Sequence, residues 1–236
     1  MAAKDRFQDH CWKDVVPEND MRIYEPYTRA TKVGPRAAVV AVDLYNLVYR
    51  GGAHPPIDLI DRYPSSCGIY AHAAIEPTQR LLAAARRAGL PIFFCTGDMS
   101  LNARPQSAAA TKRRSPPRLP DDYDIYPAFS VAETDVIIRK QRASAFQGTP
   151  LASHLTLLGI QTLIICGEAT SGCVRASVVD GYSSGFTINI IEECTFDQTE
   201  LTHKVNLFDM AHKYADVMHL PEVEEHLASL PQAQPI

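Results

Sequence analysis

The chain has little of what marks a partner of nucleic acids or membranes. Its 236 residues carry 23 Lys and Arg against 27 Asp and Glu, a net charge of −4, so no basic excess faces phosphate backbones or anionic lipid. No apolar run approaches the ~20 residues that a membrane-crossing helix needs. The opening segment MAAKDRFQDHCWKDVV is charged where a secretory leader would be apolar. Six cysteines occur, Cys11, Cys67, Cys95, Cys166, Cys173 and Cys194, and no two form a C-x-x-C pair. That spacing argues against a zinc ribbon or a disulfide framework and fits free thiols in a reducing cytosol. The small-residue turn from Gly167 to Gly172 lacks the spacing of a dinucleotide or phosphate loop. The expectations are a cytoplasmic protein with no cofactor, no nucleic-acid partner and no membrane partner.

What is present is enough apolar sequence for one sizeable core: 46% hydrophobic and 21% charged residues over a length too short for two ordinary domains. Residues 1–34, with Trp12 and Tyr24 to Tyr27, read as an extension that ends at Gly34-Pro35. A domain over 35–230 follows, then a flexible tail, PQAQPI, over 231–236. Ala37 to Val42 is a continuous apolar run, as expected of a strand buried on both faces. Glu76 to Ala88 has helical spacing and stops at Gly89, before a second strand from Pro91 to Cys95. Residues 99–130 are irregular, with a basic, proline-rich stretch from Lys112 to Arg118 that reads as a solvated loop. A third strand, Val136 to Arg139, ends at Lys140. Thr149 to Leu158 is a helix, Thr162 to Cys166 a fourth strand, and Thr187 to Ile191 a fifth. Helices over Leu201 to Tyr214 and Glu222 to Leu230 close the domain, with Leu207, Met210 and Tyr214 as a core or interface stripe. This alternation predicts an α/β fold, a single-domain three-layer α/β/α sandwich around a mainly parallel, doubly wound sheet with right-handed crossovers.

In such sheets ligands bind beyond the carboxyl ends of the strands. Asp43, Lys140 and the turn leading to Cys173 each follow a predicted strand, so all three are expected at one edge. Alone, Asp43 is an ordinary turn or cap residue, Lys140 a solvated strand end and Cys173 a small core residue. Together they form a coherent chemical set. A cysteine at the first turn of a helix meets unpaired N–H groups and the positive end of the dipole, which favour thiolate. Attack on an electrophilic carbonyl carbon would place the oxyanion on those same amides. Asp43 would carry the thiol proton to a leaving nitrogen, and Lys140 would keep sulfur and carboxylate ionised in proximity. Arg175, two positions on, reads as a partner for a neighbouring acid or as a subunit contact. His54 and His72 read as loop or surface histidines, so no catalytic metal is expected.

The segments AAVVAVDLYN, VIIRKQRASAFQGTPLASHL, LIICGEATSGCVRASVVDGYSSGF and NLFDMAHKYADV resemble the isochorismatase-like cysteine hydrolases, and within them most resemble N-carbamoylsarcosine amidases and maleamate amidases. The resemblance runs from about Ala37 to Val217. It implies that Asp43, Lys140 and Cys173 are the family's triad. It also implies a cis peptide at the Ala169-Thr170 step, with backbone N–H groups of Ala169, Thr170 and Cys173 facing the substrate oxygen. A homo-oligomer, dimer or tetramer, is implied as well. Relatives acting on carboxylate substrates carry Gly-Asp-Arg after the fifth strand; this chain reads Phe196-Asp197-Gln198. They also favour aromatics where this chain has Arg142 and Gln147. Arg142, Gln147 and Gln198 are therefore the candidate substrate-binding residues. Either Arg142 supplies a cation from another wall, or the substrate is uncharged at that end, or Arg142 faces solvent. Nicotinamidases of the superfamily bind a metal through an Asp-x-His pair; here the matching stretch is Thr96-Gly97-Asp98-Met99, without the histidine. The expected activity is cysteine-dependent hydrolysis of a small linear amide or N-carbamoyl compound, through a thioester and with release of ammonia. The alternatives are isochorismate-type vinyl-ether hydrolysis and a non-catalytic binding or assembly module of the same fold.

Overall fold

The computed structural model describes residues 9–100 and 119–230. The basic stretch from Lys112 to Arg118 and the tail 231–236 lie outside the described residues. Six parallel strands form one sheet in the order β3-β2-β1-β4-β5-β6. They are β1 Ala37–Val42, β2 Ile92–Gly97, β3 Val136–Lys140, β4 Thr162–Gly167, β5 Thr187–Thr195 and β6 Asp216–Met218. The chain winds outward from β1 to β3, returns to place β4 on the other side of β1, and winds outward again. The switch point therefore falls between β1 and β4.

Strand period and helix period together build the two cores. In β1, Val39 and Ala41 face one layer and Ala38, Val40 and Val42 the other, all fully buried. Helix α1, Ile75–Arg87, buries Leu81, Leu82, Ala84 and Ala85 on the first face, beside Val223 and Leu227. On the second face lie Leu151 and Leu155 of helix α2 (Leu151–Leu157) and Val178 of helix α3 (Arg175–Ser183). Leu207 and Met210 of helix α4 (Glu200–Lys213) join them. Val223 and Leu227 belong to helix α5, Leu220–Ser229. The expected stripe thus resolves into two fully buried core residues, Leu207 and Met210, while Tyr214 packs edge-on against Tyr182.

Two features differ from expectation. Strand β5 continues to Thr195, and β6 was not anticipated, because three residues are too few for a pattern to declare itself. The segment ahead of β1 is docked along the sheet and α4. Trp12 is fully buried in the second core, Lys204 pairs with Asp14 at 2.6 Å, and Arg29 donates to Asp216 and to the carbonyls of Ala211 and Ala215.

Gly167, the last residue of β4, adopts φ +108°, and a Cβ there would stand 1.9 Å from the Val42 carbonyl oxygen. The glycine lets β4 leave the sheet against the end of β1. Gly167→Ala is expected to lower unfolding free energy by at least about 2 kcal/mol in chemical denaturation, since strain and steric overlap combine. Gly159→Ala is the control. Its φ of +65° is similarly left-handed but nothing lies within 4 Å, so its loss should stay near 1 kcal/mol.

Candidate active site

Three chain segments meet at the carboxyl edge of the sheet around Asp43, Lys140 and Cys173. Asp43 follows β1 with φ 55°, a left-handed conformation uncommon for a residue other than glycine. Its amide donates to the Cys95 carbonyl at 2.8 Å, and its side chain is fully buried. Lys140 ends β3, two strands away, and reaches across β2. Its Nζ donates to Asp43 Oδ2 at 2.7 Å and to the Arg142 carbonyl at 3.3 Å. Burial opposes charge on Lys140, but the Asp43 carboxylate more than offsets it and holds the ammonium above the usual lysine range.

Cys173 lies in a π-helical turn, Thr170–Val174, that feeds directly into α3. The residue is 9% exposed, and its thiol lies within the electrostatic reach of the Asp43 carboxylate and the Lys140 ammonium. Burial pushes the thiol up, the Asp43 carboxylate adds to this, and Lys140 opposes it without prevailing. Burial and the adjacent acid thus act against the thiolate that the helix terminus would favour.

The cis peptide is Glu168-Ala169, one residue before the expected Ala169-Thr170 step. Thr170 cannot supply the expected anion-binding amide, because its N–H donates to the Phe196 carbonyl at 3.0 Å. Its hydroxyl pairs with His203 Nδ1 at 2.7 Å, so the residue ties the turn to the end of β5 and to α4. The amides of Ala169 and Cys173 are the remaining members of the expected anion site.

Two residues not singled out from sequence brace this turn. Asp197 accepts the Ser171 N–H at 2.8 Å and the Ser171 hydroxyl at 2.7 Å, while its other oxygen accepts the Gln198 N–H. Ser177 donates to the Cys173 carbonyl at 2.7 Å and accepts the Ala145 N–H at 2.9 Å, coupling the loop after β3 to the Cys173 turn. Ser177 had a local signal, one helical turn beyond Cys173. Asp197 lay inside the stretch read for Gln198 alone.

The structure does not gather the three substrate candidates at the thiol as a set. Arg142 is exposed, and its backbone carbonyl receives Lys140. Gln147 is exposed with its amide on Asp180 of α3 at 3.2 Å. Gln198 donates to the carbonyls of Pro64 and Ser66 at 2.7 and 3.2 Å, so its amide N–H groups tether that loop. It also lines a groove of about 340 Å³ with Ile57, Ile60 and Tyr70. Arg175 pairs with Asn206 and Asp209 of α4, the first of its two expected roles. His54 is exposed and His72 packs edge-on against Tyr49; among the described residues neither belongs to a metal-type cluster. All six cysteines are free thiols.

Residues 38–222 match the Isochorismatase domain model. The chain is 33% identical over 214 residues to N-carbamoylsarcosine amidase from an Arthrobacter species, an alignment covering 87% of this chain and 76% of that protein. It is 41% identical over 96 residues to maleamate amidohydrolase of Pseudomonas putida, across 41% of this chain and 45% of the other. The structure superposes on an isochorismatase family protein of Burkholderia thailandensis with a TM-score of 0.68 at 23% identity, over 85% of this chain and 100% of that one. With its parallel sheet, its switch point and a domain match across most of its length, the chain belongs to the isochorismatase family.

Proposed function

We propose that this protein is a cysteine amidohydrolase that releases ammonia from a small linear amide or N-carbamoyl compound. The observation carrying the reading is the buried Lys140–Asp43 ion pair, with the Cys173 thiol in its electrostatic reach, at the carboxyl edge where α/β sheets bind ligands. The similarity to N-carbamoylsarcosine amidase and maleamate amidohydrolase supports the same chemistry.

As the carbonyl carbon of the substrate comes within reach of sulfur, Asp43 takes the thiol proton and the S–C bond forms. Negative charge moves to the carbonyl oxygen, where the amides of Ala169 and Cys173 receive it. Asp43 then gives its proton to the nitrogen, the C–N bond breaks, and ammonia departs from a thioester. Water, losing a proton to Asp43, attacks the thioester, and the proton returns to sulfur as the acid leaves. Lys140 stays protonated throughout and stabilises whichever of Asp43 and Cys173 carries the negative charge.

Cys173→Ser is expected to cut ammonia release by about a thousandfold or more while circular dichroism and melting stay close to the parent. Full turnover in that variant would eliminate the reading. Lys140→Met leaves the Asp43 carboxylate buried without its cation and should cost roughly 3 kcal/mol in denaturant unfolding, together with turnover. Because the thiol is raised, iodoacetamide should alkylate Cys173 of the free protein slowly at pH 7, at a rate that climbs through the alkaline range. A rate already at its plateau below pH 7 would mean a resting thiolate and would take the proton-carrying role away from Asp43.

A further inference from the structure

Where the N-terminal segment docks, two imidazoles and two carboxylates are packed together away from the triad residues. His10 is 6% exposed and lies between two rings, stacked on Trp12 at 4.4 Å and on His219 at 4.6 Å. Its Nδ1 meets Glu192 Oε2 at 2.7 Å, and the other Glu192 oxygen accepts the Cys11 N–H at 3.1 Å. On the far side His219 Nδ1 meets Glu193 at 2.9 Å, and Glu193 also accepts the Leu220 N–H at 2.8 Å. Ligand-type atoms of His10, Glu192 and His219 all lie within 4.8 Å of one another. His219 Nε2 is buried with no hydrogen-bond partner, a condition that buried polar atoms seldom keep.

We propose that His10, Glu192 and His219 bind a divalent transition-metal ion and so pin the segment carrying Trp12 to the edge formed by β5 and the start of α5. Two imidazole nitrogens and one carboxylate oxygen form a donor set suited to zinc. Ligands on a tetrahedral zinc stand about 3.4 Å apart for bonds of about 2.0–2.1 Å, so the three atoms must close in from separations of up to 4.8 Å. Glu193 on the Nδ1 of His219 supplies the outer carboxylate that commonly orients a ligating histidine, and it leaves Nε2 as the donor. The Cys11 N–H does the same for Glu192. Two carboxylates balance the charge of the ion. One rearrangement is required. A metal lies in the plane of the imidazole that binds it, and the His10 and His219 rings are tilted by only 12°. His10 must therefore turn out of its stack, which couples ion binding to the environment of Trp12.

That coupling provides the assay, since Trp12 is the sole tryptophan of the chain. The full-length protein, stripped with a chelator, is titrated with zinc chloride at pH 8 while Trp12 fluorescence is followed, and with cobalt chloride for its visible spectrum. A saturable fluorescence change at about one equivalent per chain, with a tetrahedral cobalt spectrum, is expected. Glu192→Gln and His219→Gln should each weaken binding at least about tenfold, and Glu193→Gln by about 10- to 100-fold. Cys173→Ser should bind as the parent does, which separates this site from the proposed active site and from the amidohydrolase reading. Circular dichroism confirms that each variant is folded. The proposal is overturned if the parent gives no saturable change, if folded Glu192→Gln and His219→Gln bind as tightly as the parent, or if Cys173→Ser abolishes binding.

Discussion

Burying an ammonium and a carboxylate together is the constraint around which this sheet edge is arranged. Taking each ion out of water costs several kcal/mol, and their attraction offsets this only when they are close and their other hydrogen-bonding capacity is used. Lys140 and Asp43 meet at 2.7 Å with side chains 5% and 0% exposed. The Arg142 carbonyl takes up further capacity on the lysine side. The pair also spans three strands, since Lys140 is registered against Gly97 and Cys95 against Val42. A slip of one residue in β3 would turn Lys140 to the other face and leave Asp43 without its cation. Sheet register and site geometry are thus one condition, and the left-handed backbone of Asp43 is strain that this packing sustains.

The Cys173 turn is held in a comparable way, from several elements as well as by its own backbone hydrogen bonds. Gly167 permits contact with Val42, the Phe196 carbonyl takes the Thr170 amide, Asp197 grips Ser171 twice, and Ser177 links the Cys173 carbonyl to Ala145. The segments after β3 and β5 and helix α3 therefore converge on five residues. A thiol positioned so firmly loses little entropy on meeting a substrate carbon, which is the advantage of fixing catalytic groups on rigid elements.

How much of this was legible beforehand follows the range of the interactions. Alternating apolar strands and helices declare the sheet, and strand ends declare Asp43, Lys140 and Cys173, because these are local patterns read through one topological rule. Strand β6 was illegible because three residues carry no period. Asp197, Ser177 and His203 act through hydrogen bonds whose partners lie up to 33 residues away in sequence, and no composition or spacing encodes those. The environment of Cys173 was only partly legible for a related reason. A helix start is visible in sequence, whereas the burial that opposes a thiolate belongs to the assembled core. The tether made by Gln198 was illegible for the same reason, since its partners Pro64 and Ser66 come from a distant loop.

The burial and the carboxylate that raise the Cys173 thiol bear on the chemistry proposed for the site. One cation faces two acidic groups, so a proton passing from sulfur to Asp43 leaves the buried charge unchanged in sum and moves it by only a hydrogen-bond length. No new ion has to be created inside the protein before attack, which a low-dielectric interior would otherwise penalise heavily. A protonated, mostly buried sulfur is also a poor target for alkylating and oxidising agents, because the thiolate is the reactive species. Reactivity then depends on a carbonyl carbon close enough to accept sulfur's electrons as the proton leaves, with the amides of Ala169 and Cys173 ready for the oxygen. In the proposed reaction, the carboxylate that raises the thiol at rest is the group that takes its proton when a substrate is bound.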